Sequence, residues 1–368
     1  MNSKLKSILI PAILLLFCVE TFAQNKFIHP GMLHSKKELE WVKKKIQIHN
    51  SIWDKEWQQL QASKCAQLSW EMSPSEIIKR GPYNKPDIGA SGFMVDGRAA
   101  YTMSIQWYMT NDKRYAQKAI EIINGWSHQL KEVKGHDAKL LVGMTGIKFL
   151  NAAEIIKHTS NLWKDKDQKA FEKMVRNIWY PVIKDFYPTA NGNWDASMIQ
   201  TMLCMGVFLE DTTIFNQAKD YFLKGKGNGA IGNYFNHFGQ CQESGRDQAH
   251  TQMGLAYLAN SCEVAWNQGI DLYQALRNRL LVGFEYTAKY NLGHEVNYLP
   301  YKSYKGRYHY KKISKRGKFG PIYEQLYKHY THRMKLSMPY CQKVIETKKP
   351  ERAAKAHISW GTLMNRVN

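Results

Sequence analysis

Cysteine is scarce and placed without pattern: six residues in 368, at Cys18, Cys65, Cys204, Cys241, Cys262 and Cys341, with no close pair among them. A disulfide framework or a cysteine zinc site needs defined short spacings, so neither is expected, although a single disulfide stays open. The histidines are equally dispersed, and HExxH and GxSxG are both missing. A catalytic zinc and a serine nucleophile elbow therefore drop out, and no cofactor is expected. Strand-like alternation is rare, and there is neither a Pro- or Ser-rich linker nor a strict internal repeat, which argues against an ordinary solenoid. Negative charge is also in short supply, with 31 acidic residues against 52 Lys and Arg and a formal charge of +21.

What is present begins with a leader. Lys4 and Lys6 precede an apolar run from Ile8 to Val19, and Thr21-Phe22-Ala23 follows before Gln24. This is the pattern of a secretory signal with cleavage after Ala23, so the mature chain is expected to be exported, periplasmic or secreted. Lipidation fits less well, because Cys18 follows the bulky Phe17. No later stretch approaches the roughly 20 apolar residues that span a bilayer, so no membrane insertion is expected.

Loss of the leader removes two lysines and one glutamate, taking +21 to +20. Such a chain favours polyanions. No helix-turn-helix, zinc-finger or RNA-binding signature accompanies the charge, so nucleic acid is not the expected partner. An exported protein meets acidic polysaccharide instead, and a solvated lysine surface remains the plainer alternative.

Helical spacing recurs from His34 onward. Ser35 and Glu38 spell a capping box ahead of Leu39, Val42 and Ile46. Further stripes are Tyr115, Ala119, Ile122, Trp126; Leu140, Met144, Ile147; Phe171, Val175, Ile178, Val182; and Met198, Met202, Met205, Leu209. Gln248–Gln268 and Ile270–Leu292 read as helices, the second ended by Gly293. An all-α fold follows, a single domain over 24–368 in which antiparallel helix hairpins curl into an incomplete α/α toroid. Residues 294–318, rich in Tyr, Lys, Gly and Arg, read as a long irregular basic loop.

Gly227-Asn228-Gly229-Ala230-Ile231-Gly232 spells GxGxxG, but a helix and not a strand precedes it, so it reads as a turn. Three other segments concentrate polar chemistry. Asn191-Gly192-Asn193-Trp194-Asp195 is either a functional turn or simply a turn with Asp195 as helix N-cap. In Glu243-Ser244-Gly245-Arg246-Asp247-Gln248-Ala249-His250, Arg246 and His250 are four apart, so if the segment is helical they share a face, with Glu243 one turn earlier. A surface ion network is the plain alternative, yet Met253, Leu255 and Leu258 beyond it read as buried. The third segment is the set Tyr298, Tyr301, Tyr304, Tyr308 and Tyr310 in the basic loop.

The run Gly81-Pro82-Tyr83-Asn84-Lys85-Pro86 through Asp96-Gly97-Arg98-Ala99-Ala100-Tyr101, with the Asn193 turn and the Glu243–His250 segment, resembles the alginate-lyase superfamily. The likeness is greatest to polysaccharide lyase family 38 and weaker to family 5. It implies an α/α toroid and cleavage of uronate polysaccharide by β-elimination. In family 5 the turn reads Asn-Asn-His-Ser-Tyr-Trp, with a catalytic tyrosine on the later arginine-bearing helix. Here Asn193 matches the asparagine, Trp194 stands where histidine is expected, and His250 lies near the place of that tyrosine. The family 5 roles of base and acid do not transfer.

β-Elimination must neutralise the uronate carboxylate, take the C5 proton and protonate the departing O4. Asn193 and Arg246 suit the first task. His250 suits the second, its reference pKa being about 6.5. Tyr298, then Tyr301, are the candidates for proton transfer, which asks for about 3 units of depression from the phenol's pKa of about 10. Glu243 would orient its neighbours or meet the substrate, and Trp194, Tyr304 and Arg316 would bind sugar. The rivals are a glycoside hydrolase using Asp195 with Glu243 or Asp247, and a non-catalytic binder of acidic glycans.

Overall fold

The capping box at Ser35 forms: its hydroxyl accepts from the Glu38 N–H, and the Glu38 carboxylate accepts from the Ser35 N–H. The structure, a computed structural model, describes residues 26–49 and 51–367, so the expected leader lies outside the described residues. Helices α1 (Lys36–Gln47) and α2 (Ser51–Gln61) pack together. Hairpins follow: α3 (Ala90–Thr110) with α4 (Lys113–Gln129), α5 (Ala138–Thr159) with α7 (Tyr180–Ile183) after α6 (Asp165–Met174), which packs on α4, and α8 (Gly192–Phe208) with α9 (Thr212–Lys224). After the short α10 (Ile231–Tyr234) come α11 (Gln248–Asn267) and α12 (Ala275–Asn291), then α13 (Tyr323–Tyr327), α14 (Pro339–Thr347) and α15 (Gly361–Asn365).

Helices α3, α5, α8 and α11 pack in that order as an inner wall, with the second helix of each hairpin outside. The inner helices carry buried residues on every side because nearly every side is covered; in α8 all residues except Trp194 are buried. They touch closely through small residues: a Cβ on Gly97 would come within 2.9 Å of Phe149, and one on Gly143 within 2.3 Å of the Ser197 hydroxyl. Hydrogen bonds from Gln200 to the Gly143 carbonyl and from Asn260 to Gln200 hold the wall in parallel register. This is the expected all-α, incomplete α/α toroid. Between its layers, Phe93, Trp126, Phe149 and Trp179 form an edge-to-face and stacked aromatic cluster.

Asp96 explains part of the Asp-Gly-Arg motif structurally. Its buried carboxylate accepts from the indoles of Trp70 and Trp126 and from the Ser73 N–H, at 2.8–2.9 Å. That pins the segment before β1 (Ile77–Arg80), which pairs antiparallel with β2 (Asp87–Ile88) and parallel with β3 (Glu132–Lys134). The residues after Glu351 run inside the curve, where Lys148 donates to the Lys355 carbonyl, Tyr257 to that of Ala356, and the Trp360 indole to Thr102.

Some expected elements differ. The stripe from Phe171 to Val182 is interrupted by a π-helical segment at Val175–Trp179, just before Pro181, which has no N–H to continue the α ladder. The helix expected from Ile270 begins at Ala275, and Leu276, Arg277 and Asn278 take left-handed φ of 51–60° before it runs regularly. Gly293 does end it, at φ 108°. The basic segment is not wholly irregular: β4 (Tyr301–Lys302) and β5 (His309–Tyr310) form a small hairpin. The GxGxxG stretch forms the turn between α9 and α10, as expected, and its last two residues open α10.

Candidate active site

Parallel inner helices put their N-termini at one end of the toroid. N–H groups without helical partners and the positive ends of the helix dipoles gather there, which favours an anion. The Asn193 turn belongs to this end. Asn191, not Asp195, occupies the N-cap position of α8, and its Oδ1 accepts from Gln242 at 2.9 Å and from the Tyr310 hydroxyl at 3.0 Å. Asp195 lies within the first turn, accepting from the Tyr187 N–H at 2.7 Å and the Tyr221 hydroxyl at 2.9 Å. Burial pushes Asp195 up to about 6, against the pull of those donors.

Glu243 is the hub. It is fully buried; Oε1 accepts from Arg246 Nη1 at 2.7 Å, while Oε2 accepts from the Asn193 N–H at 2.8 Å and the Tyr234 hydroxyl at 3.2 Å. Burial raises its carboxyl above the ordinary range, and the charges of Arg246 and His250 pull it back. Asn193 is equally buried, yet its Oδ1 has no partner and its Nδ2 rests on the Met253 thioether at 3.5 Å. A thioether is a weak acceptor, so this donor is poorly satisfied behind the Met253 side chain.

His250 stands in the first turn of α11, whose N-cap is Asp247. Asp247 accepts from the His250 N–H and from its Nδ1, both at 2.7 Å. The Nδ1 proton is thereby fixed, leaving Nε2 as the basic nitrogen. Burial pushes Asp247 up, but the His250 bonds outweigh it and bring the carboxyl down to about 2. Arg246 and His250 keep side-chain exposures of 27% and 35%, so solutes reach both.

The tyrosines divide differently from the order expected. Tyr298 donates to the Tyr310 carbonyl at 2.9 Å, and Tyr301 donates to the Asn233 carbonyl. Burial, with Cys241 adding to it, pushes both up to about 12, the opposite of the depression a proton acceptor needs. Both hydroxyls fasten the hairpin to its surroundings. Tyr310, a member of the expected tyrosine set but not one of the two candidates for proton transfer, is the hairpin tyrosine whose hydroxyl reaches Asn191. Burial pushes it up to about 12 while the Arg246 guanidinium pulls the other way. Its signal was the Tyr308-His309-Tyr310 alternation, which puts both rings on one strand face, stacked 6.3 Å apart.

Trp194 is the half-buried exception on α8, edge-on to His136 at 5.6 Å and to Tyr187 at 5.4 Å. Arg307 lies over Tyr187 and Tyr308, adding a cation to this aromatic rim. Tyr304 is tied through its N–H to Asn228 at 2.7 Å. Arg316 is spent elsewhere: it caps the end of α12 by donating to the carbonyls of Tyr290, Gly293 and His294, and pairs with Glu295. The carboxylates a hydrolase would need are all committed, Asp195 and Glu243 to buried donors and Asp247 to His250.

The sequence matches the alginate lyase family over residues 51–296, more than half of the chain. No curated protein matches it. Among solved structures, an alginate lyase from Bacteroides ovatus is similar at TM-score 0.67 and 11% identity, covering 93% of this chain and 100% of that one. Alginate lyase A1-III from Sphingomonas species A1 is similar at TM-score 0.62 and 11% identity, covering 90% and 95%. A variant of A1-III complexed with tetrasaccharide gives TM-score 0.64 at 12% identity, covering 90% and 94%.

Proposed function

Because the chain belongs to the alginate lyase family and is therefore a polysaccharide lyase, we propose that it is an exported, single-domain enzyme cutting a uronate polymer of the poly-mannuronate or glucuronan type by β-elimination. One observation carries this reading: at the inner-helix N-termini Asn193 and Arg246 hydrogen-bond buried Glu243, and His250, held by Asp247, stands near enough for its charge to act on that carboxyl.

In this reading the uronate carboxylate takes the place of the Met253 sulfur on Asn193 and lies beside Arg246, so the charge that builds up as C5 loses its proton is stabilised. His250 Nε2 accepts that proton. The C5–H electron pair becomes the C4=C5 double bond, the C4–O4 bond breaks, and O4 takes the proton of Tyr310, a phenol raised enough to stay protonated until used. One fragment leaves with an unsaturated uronate end. Glu243 positions Arg246 and Asn193, and Trp194 offers a sugar platform beside the Tyr187 and Arg307 rim. Tyr298 and Tyr301 hold the hairpin that carries Tyr310.

The test is a panel of poly-mannuronate, poly-guluronate, glucuronan, hyaluronan and chondroitin followed by ultraviolet absorbance. Absorbance should rise on poly-mannuronate or glucuronan. New reducing ends without absorbance would instead indicate hydrolysis, and binding without shortening a non-catalytic glycan receptor.

A further inference from the structure

The sequence shows no close histidine cluster, yet the fold assembles one at the opposite end of the inner wall. His29, ahead of α1, meets Glu154 and His158, which are four residues apart on the last turns of α5. Their ligand atoms all lie within 4.8 Å of one another. Glu154 is 16 residues along α5 from Ala138 at the proposed catalytic end, about 24 Å at about 1.5 Å per residue, so this cluster is no part of the proposed active site.

Its partners are unequally satisfied. Glu154 Oε1 accepts from the Gly31 N–H at 3.1 Å and meets His29 Nδ1 at 2.7 Å. Glu154 Oε2 is buried without any hydrogen bond, on a side chain only 2% exposed, and lies 3.6 Å from His158 Nε2. The other nitrogen of His29, Nε2, meets Glu210 Oε1 at 2.5 Å. The nearby cations are Lys26 and Lys157, and Lys157 is committed to Glu172 at 3.0 Å.

We propose that His29, Glu154 and His158 form a binding site for one divalent late-transition metal ion of the zinc class, clamping the chain's N-terminal segment to the end of α5. Two imidazoles with a carboxylate are the donor set such ions prefer over magnesium or calcium. Ligands at about 2.0–2.2 Å around a tetrahedral ion lie roughly 3.4 Å apart, close to the existing separation of His158 Nε2 and Glu154 Oε2. His29 would bind through Nδ1, releasing the proton now shared with Glu154, while Nε2–H stays on Glu210. That is the carboxylate–histidine–metal arrangement that fixes a ligating ring. The imidazoles are stacked at 4.1 Å and 8°, so their in-plane lone pairs run side by side and His29 must turn to converge on the ion, with the exposed Glu210 side chain following its Nε2–H. The side chain of His158 is 26% exposed, which leaves a route in from solvent.

The experiment is calorimetric titration of zinc chloride into the full chain, untagged and stripped with chelator. One equivalent should bind with a Kd of about 1 μM or tighter, and saturating zinc should raise Tm. His158→Gln should weaken binding at least 100-fold and abolish the Tm rise, and Glu210→Gln should weaken it about 10- to 100-fold. Should His158→Gln fail to fold, the visible absorption of wild-type protein with one equivalent of cobalt(II) reports the same site. Absence of stoichiometric zinc binding, zinc binding unchanged in His158→Gln, or absence of the cobalt bands would each overturn the proposal.

Discussion

Two buried glutamates near the two ends of α11 sit in unlike surroundings, which under the proposed function separates stability from chemistry. Glu263, in the last turns, accepts two hydrogen bonds from Arg333, one from the Tyr273 hydroxyl, and lies 3.4 Å from Lys328, which also pairs with Glu38. Burial works against its charge, but Lys328 and Arg333 outweigh it and hold the carboxyl below the ordinary range. Glu243, just before the first turn, has a single arginine, and burial wins, leaving its carboxyl raised. Around Glu263 the cations are spent on carboxylates. Around Glu243 stand an amide with an unpartnered oxygen, an accessible arginine and a histidine with a basic nitrogen. The closed network suits a structural role, and the open one suits the role proposed for it.

The contrast can be broken by substitution. His250→Ala should cost about 10²–10⁴-fold in kcat, the usual worth of a general base, with Tm near that of wild type. If kcat survived, the open network would be structural after all. Arg333→Ala should do the converse, lowering unfolding stability by about 3–5 kcal/mol because it removes one of the cations that pair with buried Glu263, while the folded fraction keeps its kcat/KM.

The pH dependence of that loss has a definite sign. Glu38 and Glu263 are both held below their unfolded values, Glu38 because Lys328 and Arg333 outweigh its burial. Their contribution is present above the unfolded carboxylate range, about pH 4.5, and disappears as pH falls through the lower folded values. Wild type and Arg333→Ala should therefore converge in chemical denaturation as the buffer is acidified below about pH 4.

Smaller effects sharpen the comparison within the tyrosine hairpin. Tyr310→Phe should lower kcat by about 10²-fold by removing the proton for O4, whereas Tyr298→Phe, which loses one bond to a backbone carbonyl, should change it less than about tenfold. Equal losses would return the role to Tyr298. Trp194→Ala should raise KM by about tenfold with kcat little changed, the worth of one stacking contact of roughly 1.4 kcal/mol.

Much of this was legible in the sequence where the determinant is local. Ser35 and Glu38, the stripe on α4 and the stop at Gly293 are matters of helical period and capping. The spacing of Arg246 and His250 predicts one helix face, but α11 begins at Gln248 behind its Asp247 cap, so Arg246 lies in the turn before it and the two come together through that turn. Contacts across the chain were not legible. Asn193 meets Glu243 over 50 residues and Tyr310 meets Asn191 over 119, and no periodicity encodes such pairings. Arg316 looked like a substrate cation because its residue type was read without its position, which is the carbonyl end of α12. The grouping of His29 with Glu154 was invisible for the same reason, the two being 125 residues apart.

The central claim, that elimination occurs at the open end, is tested most directly by Asn193→Ala assayed on the best polymer of the panel by ultraviolet absorbance, with Tm measured on the same preparation. Loss of the carboxylate's amide donor should lower kcat/KM by about 10²–10³-fold at a Tm within a few degrees of wild type. Full activity in a folded Asn193→Ala protein would contradict the account.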